Sequence, residues 1–316
     1  MRCSVVIPNW NRAELLERCL AALRQQSVRD HEVIVVDNGS VDDSVALVEQ
    51  RFPEVTLVRL SDNKGFAAAM NAGIRRAAGE YVAFLNNDTV VRPSWLEELV
   101  ACLGRHPRAA CATSKMLLLD RPGTIDSAGD ALTRGLLPYM RGHGEADGGQ
   151  YDDERQVFAA SGGAALWRMS ALTEIGLFDE RFFAYYEDVD LGFRARLAGY
   201  ECWYAPRAVV LHERGGSADA DSAFALFHHV RNRWFLILKD LPTPMLLRRL
   251  PRLVAADATW WFRARRSGNL RPLLHAYRGV VGDVAQVLAE RRRIQARRRL
   301  QLRELERLLQ DAGSQA

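Results

Sequence analysis

The sequence predicts an α/β protein built on a mostly parallel sheet flanked by helices, with a helical C-terminal extension. Through the first half of the chain, short β-branched runs alternate with amphipathic helical stretches. Those runs are continuously apolar, as strands covered on both faces are. After about residue 225 the alternation stops, and the chain turns helical, basic and rich in tryptophan.

The elements follow in order. "SVVIP" (4–8) is a strand, and "NRAELLERCLAALRQQ" (11–26) is a helix, with Asn11 and Glu14 spaced as a capping box and Leu16, Cys19 and Leu23 on one face. "EVIVVDNGS" (32–40) is a strand running into a turn, "DDSVALVEQRF" a helix and "VTLVRL" (55–60) a strand. "FAAAMNAGIRRA" is the next helix, "YVAFLNND" (81–88) the fourth strand, and Pro93 opens the helix "SWLEELVACLGRH". From about 110 to 157, Gly, Asp and Pro accumulate and a region of hairpins and loops is expected. "AASGGAALW" (159–167) restores a strand and "SALTEIG" a short helix. "EDVDLGFRARLAG" is a helix closed by Gly199, and "ECWYAP" and "AVVLHE" are the last strands. The expected division is a body, 1–230, and a basic helical extension, 231–316.

The composition, 48% hydrophobic and 26% charged, is that of a globular protein. A net charge of +4 conceals a split: from Arg231 onward there are 19 Lys/Arg against 7 Asp/Glu, and before it 24 against 32. An acidic body with a basic tail is unlike a uniformly basic nucleic-acid binder, and no nucleic-acid partner is expected. The five cysteines are scattered without metal-ligand spacing, which reads as reduced core thiols. There is no signal-peptide pattern and no apolar run long enough to span a membrane, so a cytoplasmic protein is expected.

Ligands of open parallel sheets bind beyond the carboxyl ends of the strands. Pro8, Asn9, Trp10 and Asn11 follow the first strand; Asp37, Asn38, Gly39 and Ser40 the second; Asn86, Asn87 and Asp88 the fourth. Each group alone also reads as a cap or a turn. No GxGxxG, GxxxxGK[ST] or GxSxG occurs, which disfavours dinucleotide-binding, P-loop and α/β-hydrolase chemistry. An acidic crevice suits a divalent cation as the partner of phosphates. Hard oxygen ligands such as Asp88 favour Mg²⁺ or Mn²⁺, and an imidazole shifts the balance toward Mn²⁺. The stretch "YYEDVDLGFR" (185–194) sets Glu187, Asp188 and Asp190 in one helical turn. They are read either as acids favoured by the helix macrodipole or as a site where a carboxylate takes a proton.

In order along the chain, "VVIPNWNR", "VIVVDNGSVDDS", "NKGFAAAMNAGI", "YVAFLNNDT", "GGAALWRMSALTEIGLFDERFFAYYEDVDLGFRARLAGY", "VVLHERGGS" and "HHVRNRWFLILK" resemble family 2 glycosyltransferases, most of all the bacterial rhamnosyltransferase-like branch. The resemblance covers roughly residues 2–240. It implies a GT-A fold with a nucleotide-binding half (1–110) and an acceptor and catalytic half (111–230). It also implies metal-dependent, inverting transfer of a sugar, rhamnose among the candidates, from a UDP- or dTDP-sugar to a glycan or lipid-linked acceptor in cell-surface polysaccharide synthesis.

Carried over by position, Pro8, Asn9, Trp10 and Asn11 line the nucleotide pocket. Asp37 accepts from the imide N–H of uracil or thymine, with Asn38 assisting. Asn63, Lys64, Gly65 and Asn71 flank the nucleoside and diphosphate, Lys64 also reading as a solvated loop charge. Asn87 and Asp88 stand at the family's DxD-type position, where this sequence has Asn86 in place of the first acid. Asp88 and His212 are the implied metal ligands. Gly162 and Gly163 let the backbone approach the donor sugar, and Trp167 bounds the acceptor pocket. The second acid of the "ED" pair, Asp188, is the implied base, and Glu187 orients the acceptor or a donor hydroxyl. Asp190 is read as a cap or an ion pair with Arg194. The helix start is expected to keep the Asp188 pKa low. A catalytically silent nucleotide-sugar-binding or scaffold protein is the rival reading, against which the intact Asp88, Asp188 and His212 argue. The C-terminal helices, with their mixed Leu, Trp and Arg, are expected to touch a membrane peripherally, the alternatives being packing on the body or a homodimer.

Overall fold

A computed structural model describes residues 2–214 and 222–309. The first half contains β1 (Cys3–Asn9), α1 (Ala13–Leu23), β2 (His31–Asp37), α2 (Ser44–Arg51), β3 (Thr56–Arg59), α3 (Phe66–Ile74), β4 (Tyr81–Leu85), β5 (Thr89–Val91) and α4 (Trp95–Arg105). Then come β6 (Ala109–Leu118), β7 (Ile125–Ser127), β8 (Asp130–Leu132), β9 (Pro138–Met140), β10 (Arg155–Gln156), β11 (Ala164–Arg168) and α5 (Met169–Ile175). A 3₁₀ turn (Glu180–Phe182) leads to α6 (Glu187–Leu197) and β12 (Glu201–His212). The chain continues with α7 (Ala223–Asp240), α8 (Thr243–Ser267), α9 (Leu270–Ala296) and α10 (Leu302–Leu308).

The main sheet runs β10-β12-β6-β11-β4-β1-β2-β3. Neighbours are parallel at β1–β2, β1–β4, β2–β3 and β6–β12, whereas β11 lies antiparallel between β4 and β6. Alternate residues of β1 enter opposite cores, Val5 and Ile7 with α1 and α4, Val6 with α3. This alternation is why the strand is apolar throughout. Because β11 begins opposite the end of β4, Ala164 against Leu85, Gly162 and Gly163 arrive at the same sheet edge as the ends of β1, β2 and β4.

The structure corrects three expectations. Residues 109–118, at the start of the region expected to hold hairpins and loops, form a ten-residue buried strand of the main sheet. Its polar residues disguise it, and Lys115 is tolerated inside because its Nζ lies 2.5 Å from Asp152 and 3.1 Å from Asp147. The two expected last strands are one, β12, with a register shift between Ala205 and Val209. The expected boundary at 230 cuts through α7, which shares a core with α6 through Phe193, Phe235 and Leu236.

Helix α6 reaches the body at Gly192, where an added Cβ would lie 2.4 Å from the Ala159 Cβ. Gly192→Ala is expected to destabilise the protein by about 1–3 kcal/mol through overpacking, measured by urea denaturation.

Candidate active site

The sheet's carboxyl edge is built from amides that hold one another. Asn9 and Asp37 are register partners at the ends of β1 and β2. The Asn87 Nδ2 donates to Asn9 Oδ1 at 2.7 Å, joining the β4 turn to β1. Pro8 completes the strand beside Val36, and Trp10 stands 54% exposed just past the edge. Asn11 does not cap α1. It adopts φ 59°, accepts from the Val41 N–H at 2.9 Å and donates its own N–H to Ser40, while Asp42 accepts from Ala13. The residue preceding α1 is Arg12, with no side-chain cap.

Asp37 is buried, with Oδ2 accepting from the Ser40 N–H and Oδ1 left without a hydrogen-bond partner. Asn38 braces the next loop: it donates to Asn63 Oδ1 and the Gly65 carbonyl and accepts from the Lys64 N–H. Gly65 is required there, with φ 85° and a would-be Cβ only 2.6 Å from the Phe183 ring. The Lys64 ammonium turns to solvent and pairs with exposed Asp62 at 2.8 Å, matching the solvated-charge reading. Two expected ligand contacts are corrected. Asn71 spends its amide on the Phe178 backbone and Glu180, stapling α3 to the loop before α6. Trp167 is fully buried on β11, stacked 6.0 Å from Phe84, and belongs to the core.

On the other side of the edge, Asp88 Oδ1 is buried without a hydrogen-bond partner, and His212 Nε2 lies 3.3 Å away. The other ring nitrogen of His212 is 2.7 Å from Asp126 Oδ2. Asp126 itself faces Arg214 and His143. Burial alone would lower the His212 pKa, but the contacts with Asp126 and Asp88 push it up to about 9. A buried carboxylate oxygen facing an imidazole that a second carboxylate orients fits a divalent cation held through Asp88 and His212. The "GGS" of "HERGGS" lies outside the described residues. Among the described residues, Cys102, His106 and Glu154 also come within metal-ligand reach of one another, at the opposite end of the sheet. There Glu154 is taken by Arg105 and His106, and the His106 ring stacks on Trp203.

Asp188 meets this edge from α6. Its Oδ2 accepts from the Gly162 N–H at 2.9 Å and its Oδ1 from Val189, while Asn86 donates its N–H to the Gly163 carbonyl. The structure reverses the expected pKa: burial raises Asp188 above the usual carboxylate range, against the lowering effect of its backbone hydrogen bonds. Glu187 is raised well above that range by burial and by the charges of Asp188 and Asp190, and its Oε2 has no hydrogen-bond partner. Asp190 differs, being fully buried between Arg194, at 2.9 Å, and Lys239, the ion pair foreseen with Arg194.

Two groups escaped the sequence reading. Asp130, on β8, is held by Ser127 and pushed up to about 8 by burial and by the charge of Asp188. Like Asp126, it sits in "DSAGD", where turn composition hid both acids. The other is Asn232 on α7. Phe183, Tyr185 and Tyr186 all have positive φ, 64°, 67° and 71°, a conformation that costs each about 1–2 kcal/mol. The carbonyls of Phe182, Ala184 and Tyr185 each lie 2.8 Å from the Asn232 Nδ2, and Arg231 donates to the carbonyls of Arg181 and Phe182. The "RN" of "HHVRNRW" therefore secures the loop that aims α6.

Solved structures identify the architecture. The mannosyltransferase PcManGT from Pyrobaculum calidifontis, solved with GDP-Man and Mn²⁺, superposes with a TM-score of 0.56 at 17% identity, over 94% of this chain and 85% of that one. GalNAc-T7, solved with UDP, GalNAc and Mn²⁺, gives 0.60 at 17% identity, over 73% of this chain and 47% of that one. The fold is GT-A, and the protein is a glycosyltransferase. Within that class the chain belongs to glycosyl transferase family 2, which its residues 4–175 match. It is 31% identical over 260 residues to the N-acetylglucosaminyl-diphospho-decaprenol L-rhamnosyltransferase of Mycobacterium tuberculosis, covering 74% of this chain and 83% of that one. It is 32% identical over 219 residues to the pre-mycofactocin glycosyltransferase of the same species, covering 66% and 42%.

Asp130 holds its proton to about pH 8 when folded but only to about 3.9 when unfolded, so its burial costs stability increasingly as pH rises between those values. Asp130→Asn is therefore expected to raise the melting temperature, the gain growing from pH 5 to 8 and levelling above. Asn232→Ala is expected to lower kcat by about 10–100-fold through misplacement of α6, with a smaller change in donor KM, measured by steady-state kinetics.

Proposed function

We propose that this glycosyltransferase moves a sugar from a UDP- or dTDP-sugar, rhamnose being the first to test, to a hydroxyl of a glycan or lipid-linked acceptor, with inversion, in cell-surface polysaccharide synthesis. What carries this reading is the convergence of three differently furnished carboxylates on one sheet edge. Asp37 keeps a buried, unpartnered oxygen suited to the imide N–H of uracil or thymine. Asn9, Asn87, Asn38 and Asn63 shape the pocket around it through their mutual hydrogen bonds. Asp88 and His212 hold Mg²⁺ or Mn²⁺, with Asp126 orienting the imidazole. The cation, when bound, supplies positive charge to the departing diphosphate.

Asp188 acts as the base. An acceptor hydroxyl attacking the anomeric carbon must lose its proton as the bond forms. The Gly162 and Val189 N–H groups fix the Asp188 carboxylate, and its burial makes it more basic than a solvated one. Glu187, whose pKa burial and the neighbouring charges raise, can in its protonated form donate a hydrogen bond to an acceptor or donor oxygen. The mycobacterial relative named for a lipid-diphosphate acceptor supports the choice of acceptor class. Contact of the C-terminal helices with a membrane belongs to the same reading, a homodimer being its alternative.

Asp188→Asn is expected to cut kcat by about 10²–10⁴-fold while Mn²⁺-dependent thermal stabilisation by UDP or dTDP is retained. In the native enzyme kcat/KM should fall as pH drops through the raised Asp188 pKa, giving an acid limb above about 3.9. Undiminished turnover by the variant overturns the assignment of the base. Asp88→Asn and His212→Ala are expected to abolish the Mn²⁺-dependent part of the stabilisation, read by thermal shift without turnover.

A further inference from the structure

The outer side of α8 and α9 carries a second apolar face that the fold does not use. Helix α8 buries Met245, Leu253, Trp260 and Ala264 against the body. On its other side Leu247 and Phe262 are 68% and 65% exposed, with Val254 between them. On α9, Leu270, Leu274 and Val281 share one face by their spacing and are exposed as well. The two stripes meet where Trp261 of α8 stacks on Tyr277 of α9, 6.0 Å apart at 17°. From Thr243 to Gly282 the chain has eight arginines and one acid, Asp257, which is buried and paired with Arg233; Arg248 and Arg249 pair with Glu306, whereas Arg271 and Arg278 line the face beside Leu274, Tyr277 and Val281. Among the described residues no helix is long and apolar enough to cross a membrane.

We infer that this face rests on a bilayer containing anionic lipid, with α8 and α9 lying in the interfacial plane. A contiguous apolar strip rimmed by arginine is what an interfacial helix presents. Anionic headgroups neutralise the arginines, whereas a second copy of the face would set like charges against one another. The opposite, inner side of α8 reaches the loop before α6. Trp260 stacks on His229 at 5.6 Å, and His229 stacks on Tyr185 at 4.4 Å, two residues before Glu187. A bilayer against α8 thus holds the start of α6 at a set height above the headgroups, where a lipid-linked hydroxyl is presented. This deepens the lipid-linked reading and rests on it for its purpose, though the contact itself requires neither donor nor acceptor.

The test is co-sedimentation of the full chain with vesicles of phosphatidylcholine, with and without phosphatidylglycerol. Binding to the anionic vesicles is expected to exceed that to the neutral ones by about tenfold or more. The double variant Arg271→Gln/Arg278→Gln is expected to lose about thirtyfold at low salt, from roughly one anionic-lipid interaction per arginine. Phe262→Ser/Leu274→Ser should reduce partitioning to both vesicle types, with circular dichroism and melting temperature unchanged. Equal binding to both vesicle types, or none, overturns the inference. So does a concentration-dependent dimer in sedimentation velocity that Phe262→Ser/Leu274→Ser dissolves while vesicles fail to bind. Asp188→Asn should bind vesicles as the native protein does, so failure of the catalytic assignment is distinguishable from failure of the surface.

Discussion

The geometry of the site depends on one side-chain amide, that of Asn232. The loop it holds places Phe183, Tyr185 and Tyr186 at positive φ, which side chains with a Cβ avoid. Relaxation of that loop would swing the start of α6, and with it Glu187 and Asp188, away from the sheet edge. Asn232 prevents this by occupying the carbonyls that a relaxed loop would redirect. The same loop registers the donor side, because Gly65 seats directly on Phe183 and the Ala67 N–H donates to its carbonyl. Helix α7 is therefore part of the active-site scaffold.

Placement of cations divides the labour among the acids of α6. Asp190 is neutralised by Arg194 and Lys239, and Lys239 also reaches Asp179, which Arg181 grips in turn. This buried network ties α6 and the preceding loop to α7. Each member is committed, since removing one would leave an unpaired buried charge. Glu187 and Asp188 lie three and two residues away but have no such partner, and burial raises their pKa values. Three acids within four positions thus become one structural and two chemically available carboxyls.

The charge split of the chain acquires a spatial meaning in the same way. Of the body's acids, Asp37 and Asp88 stand where strands end, and Asp126, Asp130 and Asp188 come to the same candidate site from β7, β8 and α6. The arginines of the extension lie on helices whose inner side closes the core over α6 and whose outer side is apolar. Catalytic loop, α7 and α8 are linked by ring stacking through Tyr185, His229 and Trp260.

Much of this was legible in the sequence wherever a local rule sufficed. Strand periodicity located β1 to β4, and the polar residues after them marked the candidate binding edge, because side chains at strand ends must leave the core. The order of the motifs identified the family. The ion pair of Asp190 with Arg194 followed from helical spacing alone. What the sequence could not express are relations between distant segments. Strand β6 was hidden because Lys115 becomes acceptable inside only when Asp147 and Asp152 come to it from more than thirty residues away. Asn71 and Trp167 resemble ligand contacts by position, yet their side chains are taken by Phe178, Glu180 and the core. The sequence by itself determined the family and the strands β1 to β4, and it singled out the sheet edge and the acid pair that the proposed function rests on. Only the tertiary structure decided which acids have raised pKa values, which carboxylate orients His212 and which helix braces the loop before α6, since each depends on burial and on partners that chain order does not bring together.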